Sequence, residues 1–312
     1  MTSMRRLAVL TLATLCVAIP AAPAAAKLSI GISDQTPHFF ANEYFAPLKI
    51  KRARLVVPYN IMTRKDYWVE YLQFWLDEAK RTNVEPHIAF GIAGVEDKYL
   101  GKGPKPRKYK TMIRQFRKKY PQVRTFTPWN EVNHTFQPTA KRPKLAYQYY
   151  RALKGVCPQC KVLAADVLDD ANMEPWLRKY KRYYKGKGTW GIHNYQDANK
   201  RRPFRSSYTY KITKLVKGQI WSTEAGGIVG FKTIKGKVGY KYSLKRQLRA
   251  QRYLFKLMNQ RSVRRRYERV YIYHYFGSWS KSGKKTNRWD SGLLGPNGKP
   301  RPAYYDLKKR TT

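Results

Sequence analysis

The sequence of 312 residues predicts an α/β protein, a single (β/α)8 barrel of the TIM type. Two observations lead to this fold class: short, β-rich apolar segments alternate with longer amphipathic ones from residue 28 onward, and no long polar linker divides the chain. Strand–helix–strand repeats with short loops require a parallel sheet, and eight such units form one barrel. A doubly wound open sheet is the alternative, but the turn Gly31-Ile-Ser-Asp34 lacks the glycine-rich phosphate-binding pattern usual after its first strand.

Eight segments have the length and composition of buried strands. They are residues 28–33, 53–58, 84–91, 123–129, 161–166, 189–195, 219–223 and 269–276. Apolar residues at helical spacing predict helices between several of them. The predicted helices are residues 67–81, 109–120, 144–154, 175–184 and 244–260, with a last helix near 303–309 after a long loop. Helices next to the first strand have the weakest support in the sequence.

The first residues have the order of a secretory signal peptide. Arg5 and Arg6 precede an apolar run at residues 7–19, and alanines at 24–26 supply the small residues of a cleavage site. The apolar run is too short to cross a bilayer as a helix. We therefore expect a signal peptide at 1–26, a barrel domain at 27–312, a secreted protein and no membrane anchor. The paired arginines also leave a twin-arginine export signal open.

The charge is strongly positive, because 64 Lys and Arg stand against 19 Asp and Glu, a formal net charge of +45. The cations are spread along the chain, as in residues 179–185 and 264–266, so a globally basic surface is predicted rather than one nucleic-acid-binding arm. Such a surface concentrates polyanions. For an exported protein these are acidic polysaccharides or anionic cell-wall polymers, and no nucleic acid is expected. A solvated coat without a specific partner is the alternative.

Cys157 and Cys160 form a C-x-x-C pair between a predicted helix and a predicted strand. A redox-active pair, half of a zinc site and a structural disulfide are the three interpretations. An oxidising compartment favours a disulfide that closes a small loop, and so does the lack of further cysteines for zinc once Cys16 leaves with the predicted signal peptide. No metal site and no cofactor are expected, since the histidines are scattered and the carboxylates have no ligand spacing.

The active site of such a barrel lies at the carboxyl ends of the strands. The candidates there are Asp34, Arg54, His87, Trp129, Asn130, Glu131, Asp166, His193, Tyr195, Glu224, His274 and Trp279. Glu131 and Glu224 follow the fourth and seventh strands. Two carboxylates about 5 to 5.5 Å apart can perform retaining glycoside hydrolysis, because one protonates the leaving oxygen while the other attacks the anomeric carbon. A glutamate that caps a helix or pairs with a lysine is the structural alternative for each.

Several short motifs in this order resemble those of the clan A retaining β-glycosidases. They are Trp129-Asn130-Glu131, His193-Asn194-Tyr195, Trp221-Ser-Thr-Glu224 and the aromatic end of the eighth strand. The resemblance extends through the order of the strands over essentially the whole chain after the predicted signal peptide. The sequence departs from the common pattern at Val132, where many members have proline.

The resemblance implies a role for each matching residue. Glu131 is the acid/base, Glu224 the nucleophile, and Asn130 a hydrogen-bond partner of the sugar 2-hydroxyl. Tyr195 is expected near the nucleophile, and Arg54 and His193 in the groups around it.

Aromatic side chains at the predicted rim are expected to serve the site in two ways. Trp279, just past the eighth strand, is placed to stack on a sugar ring, and Trp289 in the long loop suits an outer subsite. An acid/base needs a pKa above its ordinary value, so we expect Trp129 and Trp221 to shield Glu131. The structural alternatives are core packing for Trp279 and His87 and a rim-stabilising role for Asp166.

The function that these observations favour is a secreted, monomeric retaining glycoside hydrolase that acts on a polysaccharide, with an anionic one suggested by the charge. The alternative is a non-catalytic basic barrel that binds cell-wall or other anionic polysaccharide.

Overall fold

A computed structural model describes residues 28–92, 103–233, 235–281 and 288–312, so the predicted signal peptide lies outside the described residues. Strands and helices alternate along the described chain. The strands are β1 (Ser29–Ser33), β2 (Arg52–Pro58), β3 (Glu85–Gly91), β4 (Thr125–Thr127), β5 (Lys161–Val162), β6 (Asp166–Leu168), β7 (Gly188–His193), β8 (Gly218–Ala225), β9 (Gly230–Lys232), β10 (Val238–Tyr240), β11 (Tyr267–Tyr273) and β12 (Trp289–Asp290). The helices are α1 (Trp68–Arg81), α2 (Pro106–Lys119), α3 (Pro143–Val156), α4 (Met173–Tyr180), α5 (Tyr195–Lys200), α6 (Tyr208–Leu215), α7 (Leu244–Met258), α8 (Arg261–Arg264) and α9 (Pro302–Thr311).

Nine strands form one parallel sheet in the order β5-β4-β3-β2-β1-β11-β8-β7-β6. Its two edge strands, β5 and β6, follow each other in the chain with only residues 163–165 between them. Such a short connection keeps the two edges close together, so the sheet must curl. Leu163 donates its backbone N–H to Phe126 of β4, and Ala164 donates to Thr189 of β7. Residues 163–165 are therefore hydrogen-bonded both to β4 and to β7, on the two sides of the connection between β5 and β6.

In the large parallel sheet, the structure has nine strands where the sequence predicts eight, because the predicted strand at 161–166 is divided in two. Its backbone donors change partner from the β4 side to the β7 side, which divides it into β5 and β6. The other predicted strands each coincide with one strand of the sheet.

The six predicted helices are confirmed as α1, α2, α3, α4, α7 and α9, and each buries one apolar face. The segment between β1 and β2 contains short 3-10 helices at Pro37–Ala41 and Ala46–Leu48 in place of an α-helix. The stacked rings of Phe39 and Phe40 anchor this segment in the core. A doubly wound open sheet is inconsistent with the curled sheet and its strand order.

A second, three-stranded antiparallel sheet with the order β10-β9-β12 lies beside the carboxyl end of β8. It joins the segment after β8 to part of the predicted long loop at 287–300, of which residue 287 is outside the described residues. This small sheet forms one wall of the cleft described below.

The Cys157–Cys160 disulfide is formed and closes the turn between α3 and β5. It confirms the structural interpretation of the C-x-x-C pair. Among the described helices, none has both the length and the apolar character needed to cross a membrane.

Candidate active site

The carboxyl ends of β2, β4, β7 and β8 bring the candidate side chains to one end of the sheet. His193 at the end of β7 is the register partner of Glu224 on β8. Glu131 follows β4 and has a positive φ of 47°, a backbone conformation that few residues other than glycine adopt. Its two neighbours hold it there, because Asn130 donates its backbone N–H to Phe90 at 2.8 Å and Val132 donates to Asp166 at 2.9 Å.

Arg54 is fully buried and donates to Ser33 Oγ at 3.3 Å and to three further acceptors at the floor of the site. Its Nη1 donates to Glu224 Oε2 at 2.8 Å, and its Nη2 donates to Asp166 Oδ2 at 3.0 Å and to Asn130 Oδ1 at 2.6 Å. Burial of a guanidinium without partners is energetically very unfavourable. These acceptors therefore stabilise the buried Arg54, and Arg54 in turn fixes their positions.

His193 is also fully buried and lies between carboxylates on both ring nitrogens. Its Nδ1 is 3.0 Å from Glu131 Oε1, and its Nε2 is 3.3 Å from Asp166 Oδ2. Burial alone would lower its pKa, but Asp166 and the two glutamates raise the pKa to about 10. At neutral pH the ring is therefore an imidazolium that donates to Glu131 and to Asp166.

The pKa of Glu131 is lowered, although burial by itself would raise it, because the hydrogen bond and charge of His193 stabilise the carboxylate. This contradicts the expectation of a shielded acid with a raised pKa. Trp129 is buried beside Tyr149, with ring centroids 4.8 Å apart, and Trp221 is buried against His87 at 5.6 Å. Both indoles are committed to core packing, so His193 sets the electrostatics of Glu131.

Glu224 accepts a hydrogen bond on each carboxylate oxygen. Tyr195 donates its hydroxyl to Oε1 at 2.8 Å, and Arg54 donates to Oε2 at 2.8 Å. Burial, and then the charge of Glu224, raise the pKa of Tyr195 well above its ordinary value, so the phenol remains a donor. These are the two donors that the sequence analysis expected beside this glutamate.

Glu131 and Glu224 lie close together because both approach the same histidine nitrogen. His193 Nδ1 is 3.0 Å from Glu131 Oε1 and 4.0 Å from Glu224 Oε2, so these two oxygens are separated by no more than the sum, 7.0 Å. The two side chains remain partly exposed, at 22% and 13%. Both line a cleft of about 530 Å³.

The rest of the cleft lining is largely aromatic. Its residues besides the glutamates are His134, Leu168, Tyr195, Gln196, Lys200, Ile228, Phe231, Tyr240, Tyr273 and Trp289. Trp289 packs edge-on against Tyr195 and Phe231, with ring centroids at 4.8 and 5.5 Å. The small antiparallel sheet supplies three of these rings, since Phe231 is on β9, Tyr240 on β10 and Trp289 on β12.

Five residues predicted to act on the substrate besides the two glutamates do not line this cleft, and one of them, Asn130, is half-buried. Arg54, His193, Trp129 and Trp279 are all buried. Arg54 and His193 are buried beneath the cleft and contact the glutamates there: Arg54 bonds to Glu224, and His193 to Glu131. Trp129 packs among tyrosines and donates its Nε1 to Gln137 Oε1 at 2.9 Å. Trp279 is fully buried beneath Gly230 of β9, so core packing, the alternative considered for it, is correct and no sugar can stack on it.

Asn130 keeps a free donor at the edge of the site. Its Oδ1 accepts from Arg54, and its Nδ2 has no hydrogen-bond partner in the described part of the chain. The amide is thus oriented with its NH₂ group available.

The other predicted candidates have structural partners. His87 is buried, its Nε2 is 3.0 Å from Thr127 Oγ1, and burial holds its pKa well below the ordinary value, as suits a core histidine. Asp34 accepts the backbone N–H groups of Thr36 and Tyr275. Within the described ranges, no group of three or more His, Cys, Asp or Glu is arranged to hold a metal ion.

Sequence reasoning missed six polar or aromatic residues of the cleft, and most belong to segments without a predicted element. These are His134, Gln196, Lys200, Phe231, Tyr240 and Tyr273. Tyr273 could have been found, since it alternates with Tyr271 along the eighth predicted strand, and it is the last residue of β11. Phe231 and Tyr240 gave no signal because their strands are three residues long.

Comparison with solved structures shows the same fold in several glycoside hydrolases. Xylanase 10B from Thermotoga maritima is 13% identical with a TM-score of 0.64, over 91% of this chain and 95% of that one. A family 39 glycoside hydrolase from Bacteroides cellulosilyticus is 15% identical with a TM-score of 0.61, over 91% of this chain and 63% of that one. A β-xylosidase from Caulobacter crescentus is 15% identical with a TM-score of 0.60, over 92% and 68%.

At these identities the likeness shows an α/β fold with a curled parallel sheet. The chain spans less than two thirds of the family 39 hydrolase. No family model and no curated protein matches the sequence.

Proposed function

We propose that the protein is a secreted retaining glycoside hydrolase that cleaves O-glycosidic bonds of a polysaccharide, with residues 27–312 as its catalytic domain. The observation that carries this proposal is the pair of partly exposed carboxylates, Glu131 and Glu224, no more than 7.0 Å apart in an aromatic cleft. Retaining enzymes need about 5 to 5.5 Å between the two carboxyl groups, whereas inverting enzymes need about 6.5 to 9.5 Å. The upper limit for this pair of oxygens is compatible with the retaining separation.

The proposed chemistry uses one glutamate for each face of the sugar. Glu131 donates its proton to the leaving oxygen while a carboxylate oxygen of Glu224 attacks the anomeric carbon, which forms an ester and breaks the glycosidic bond. Glu131 then removes a proton from water, and the hydroxide oxygen displaces Glu224 from the same carbon. Tyr195 and Arg54 each donate a hydrogen bond to Glu224 and so orient its carboxylate for the first step.

The fold supports the same proposal. The structures that resemble the chain are xylanases, a xylosidase and other glycoside hydrolases. We infer that the nine paired strands amount to a (β/α)8 barrel in which β5 and β6 together take the place of the fifth strand. Xylan and its glucuronate-bearing forms are the first substrates to test, since the net charge of +45 favours acidic chains.

The decisive experiment combines a glycan panel with variants of the two glutamates. Glu224→Gly should abolish turnover of an aryl glycoside, and azide should restore it as a glycosyl azide of inverted configuration, because azide enters from the vacated face. Glu131→Ala should lose about 10² to 10⁴-fold in rate. Azide should then give a product of retained configuration, because it attacks the ester formed by Glu224.

The exposed Glu70→Ala on α1 serves as the control and should keep full activity. Full activity in either variant of the site would exclude the assignment. Binding of anionic glycans without release of reducing sugar from any substrate would favour the non-catalytic alternative.

A further inference from the structure

A second cleft, of about 390 Å³, lies away from the two glutamates and is lined by cations. We call it the basic cleft, and its residues are Arg178, Lys181, Arg182, Tyr184, Lys185, Gly186, Trp190 and Lys217. All five of its Lys and Arg residues are exposed. Its volume is in the range of about 300 to 1,000 Å³ that is usual for ligand sites.

The cations of the basic cleft have no acidic partner within the described part of the chain. None of the five forms an ion pair there, and the one acid in the first turn of α4, Glu174, pairs with Lys211 at 2.7 Å instead. Like charges around one cavity repel each other, and salt screens this repulsion only in part. An anionic ligand would therefore gain from five cations at once.

The floor of the basic cleft is fixed by buried aromatic residues. Tyr184 and Trp190 are 8% and 2% exposed and meet edge-on with ring centroids 5.2 Å apart. Trp190 donates its Nε1 to the Lys217 carbonyl at 3.0 Å, and Tyr184 donates its hydroxyl to the Lys187 carbonyl at 3.2 Å. The cations thus project from a rigid base, whose buried rings offer no exposed face for stacking nucleic-acid bases.

The basic cleft lies at the opposite end of the strands from the proposed catalytic site. Lys217 precedes β8 directly, whereas Glu224 lies near the end of that strand. The six residues between them correspond to about 20 Å of extended chain. A ligand in the basic cleft therefore does not touch the glutamates.

We propose that the basic cleft is a second, non-catalytic binding site for an acidic polysaccharide. A single small anion has too few charges to match five cations, whereas a chain that repeats a carboxylate on successive sugar rings presents several. Arg178 and Arg182 are suited to carboxylates, because a guanidinium can donate two parallel hydrogen bonds to one such group. The proposal does not depend on the hydrolase activity.

The test compares two quadruple variants of the full chain that lose the same charge. The first is R178Q/K181Q/R182Q/K185Q in the basic cleft, and the control is R107Q/K108Q/R114Q/K118Q, four exposed cations of α2. Binding of oligogalacturonate is measured by calorimetry at low salt, with a neutral xylo-oligosaccharide and inorganic polyphosphate as further probes. We expect the cleft variant to lose at least about tenfold in affinity for oligogalacturonate and the control variant less than about threefold.

A single substitution on the other wall keeps the test independent of folding. Lys217→Glu should weaken oligogalacturonate binding more than the matched exposed substitution Lys108→Glu, and thermal melting confirms that each variant is folded. Equal losses in the cleft and control variants would overturn the proposal, because the effect would then belong to the general surface charge. Binding of polyphosphate without binding of oligogalacturonate would also overturn it.

Discussion

The most consequential single residue is His193, which contacts three carboxylates from a fully buried position. Its charge stabilises ionised Glu131 and Asp166, and burial alone would have the opposite effect on both. In the proposed mechanism Glu131 must be protonated in the first step of hydrolysis, so its lowered pKa predicts that the active form of the free protein is present at acidic pH.

His193→Asn should move the basic limb of the pH profile of kcat/KM to higher pH. The substitution removes the charge that lowers the pKa of Glu131, and burial then raises it. The profile is measured with an aryl glycoside, and a spectroscopic titration of Glu131 gives the same comparison without turnover. An unchanged limb and an unchanged titration would mean that His193 does not control this carboxyl group.

Tyr195→Phe should lower kcat by about 10- to 100-fold with a smaller change in KM. It removes one hydrogen bond to the Glu224 side chain, and hydrogen bonds to charged groups contribute about 1.5 to 3 kcal/mol. Tyr240→Phe is the matched control, because Tyr240 lines the same cleft but bonds to neither glutamate in the described chain. If Tyr240→Phe lowers kcat as much as Tyr195→Phe does, the proposed specific role of the Tyr195 hydroxyl is contradicted.

At the scale of elements, two helices that surround the site depend on buried carboxylates for their first turns. Asp169 accepts the backbone N–H groups of Gln196 and Asp197 at the start of α5. Asp197 in turn accepts those of Tyr208 and Thr209 at the start of α6. This relay from β6 to α6 positions Tyr195, the first residue of α5, beside Glu224.

Asp197→Ala should lower the free energy of unfolding by about 2 to 4 kcal/mol, because it leaves several buried donors without an acceptor. The measurement is urea unfolding at neutral pH. Asp77→Ala on α1 is the control, since among the described residues the carboxylate of Asp77 bonds only to the Gln73 side chain on the surface. It should change stability by less than about 0.5 kcal/mol. Similar losses in both variants would contradict the proposed role of the relay.

The same relay explains which elements the sequence could predict. α1 and α7 are long and strongly amphipathic, so their own apolar spacing predicts them. α6 has eight residues, several of them β-branched or aromatic, and it forms because Asp197 and Ser207 satisfy its first N–H groups. Asp197 is distant enough in the chain that local spacing does not reveal this contact.

For the candidate site, too, the position of a residue along the chain was predictable, whereas contacts that depend on the folded structure were not. Glu131 and Glu224 were placed by the rule that barrel chemistry lies at the carboxyl ends of strands. The roles of Trp279 and Trp129 were wrong, because strand order does not tell whether an aromatic side chain near the rim turns toward the cleft or into the core.

For the whole molecule, five of the seventeen acids that the structure describes are buried, whereas only Arg54 and Arg301 are buried among the described Lys and Arg residues. Five aspartates are nearly or fully buried: Asp34, Asp166, Asp169, Asp197 and Asp290. Four of them accept backbone N–H groups, and Asp166 binds Arg54 and His193. Internal acceptors thus remove from the surface some of the few negative charges that would have balanced its cations.

Stability should depend on pH through His193 and Asp166. The pKa of His193 is raised to about 10, so its contribution is complete below its ordinary value near 6.5 and is lost as pH rises through about 10. The pKa of Asp166 is lowered, so its contribution is present above the ordinary aspartate range and is lost as pH falls below it. At pH values between the ordinary aspartate range and about 10, both His193 and Asp166 contribute to the free energy of unfolding.

Urea unfolding at pH 6 and pH 10 checks the alkaline side. The wild type should lose up to about 4 kcal/mol more than His193→Asn over this interval, because only the wild type carries the raised histidine pKa. Identical losses in the two proteins would show that other titrating groups govern alkaline stability.

The small antiparallel sheet has a consequence for how the proposed activity can be altered. It supplies Phe231, Tyr240 and Trp289 to the cleft from segments outside the large parallel sheet that carries the glutamates. Exchange of the β9–β10 hairpin for one of another length would therefore reshape the subsites without moving the reacting groups. A change in this hairpin can thus alter which substrate is preferred while the proposed chemistry of bond cleavage stays the same.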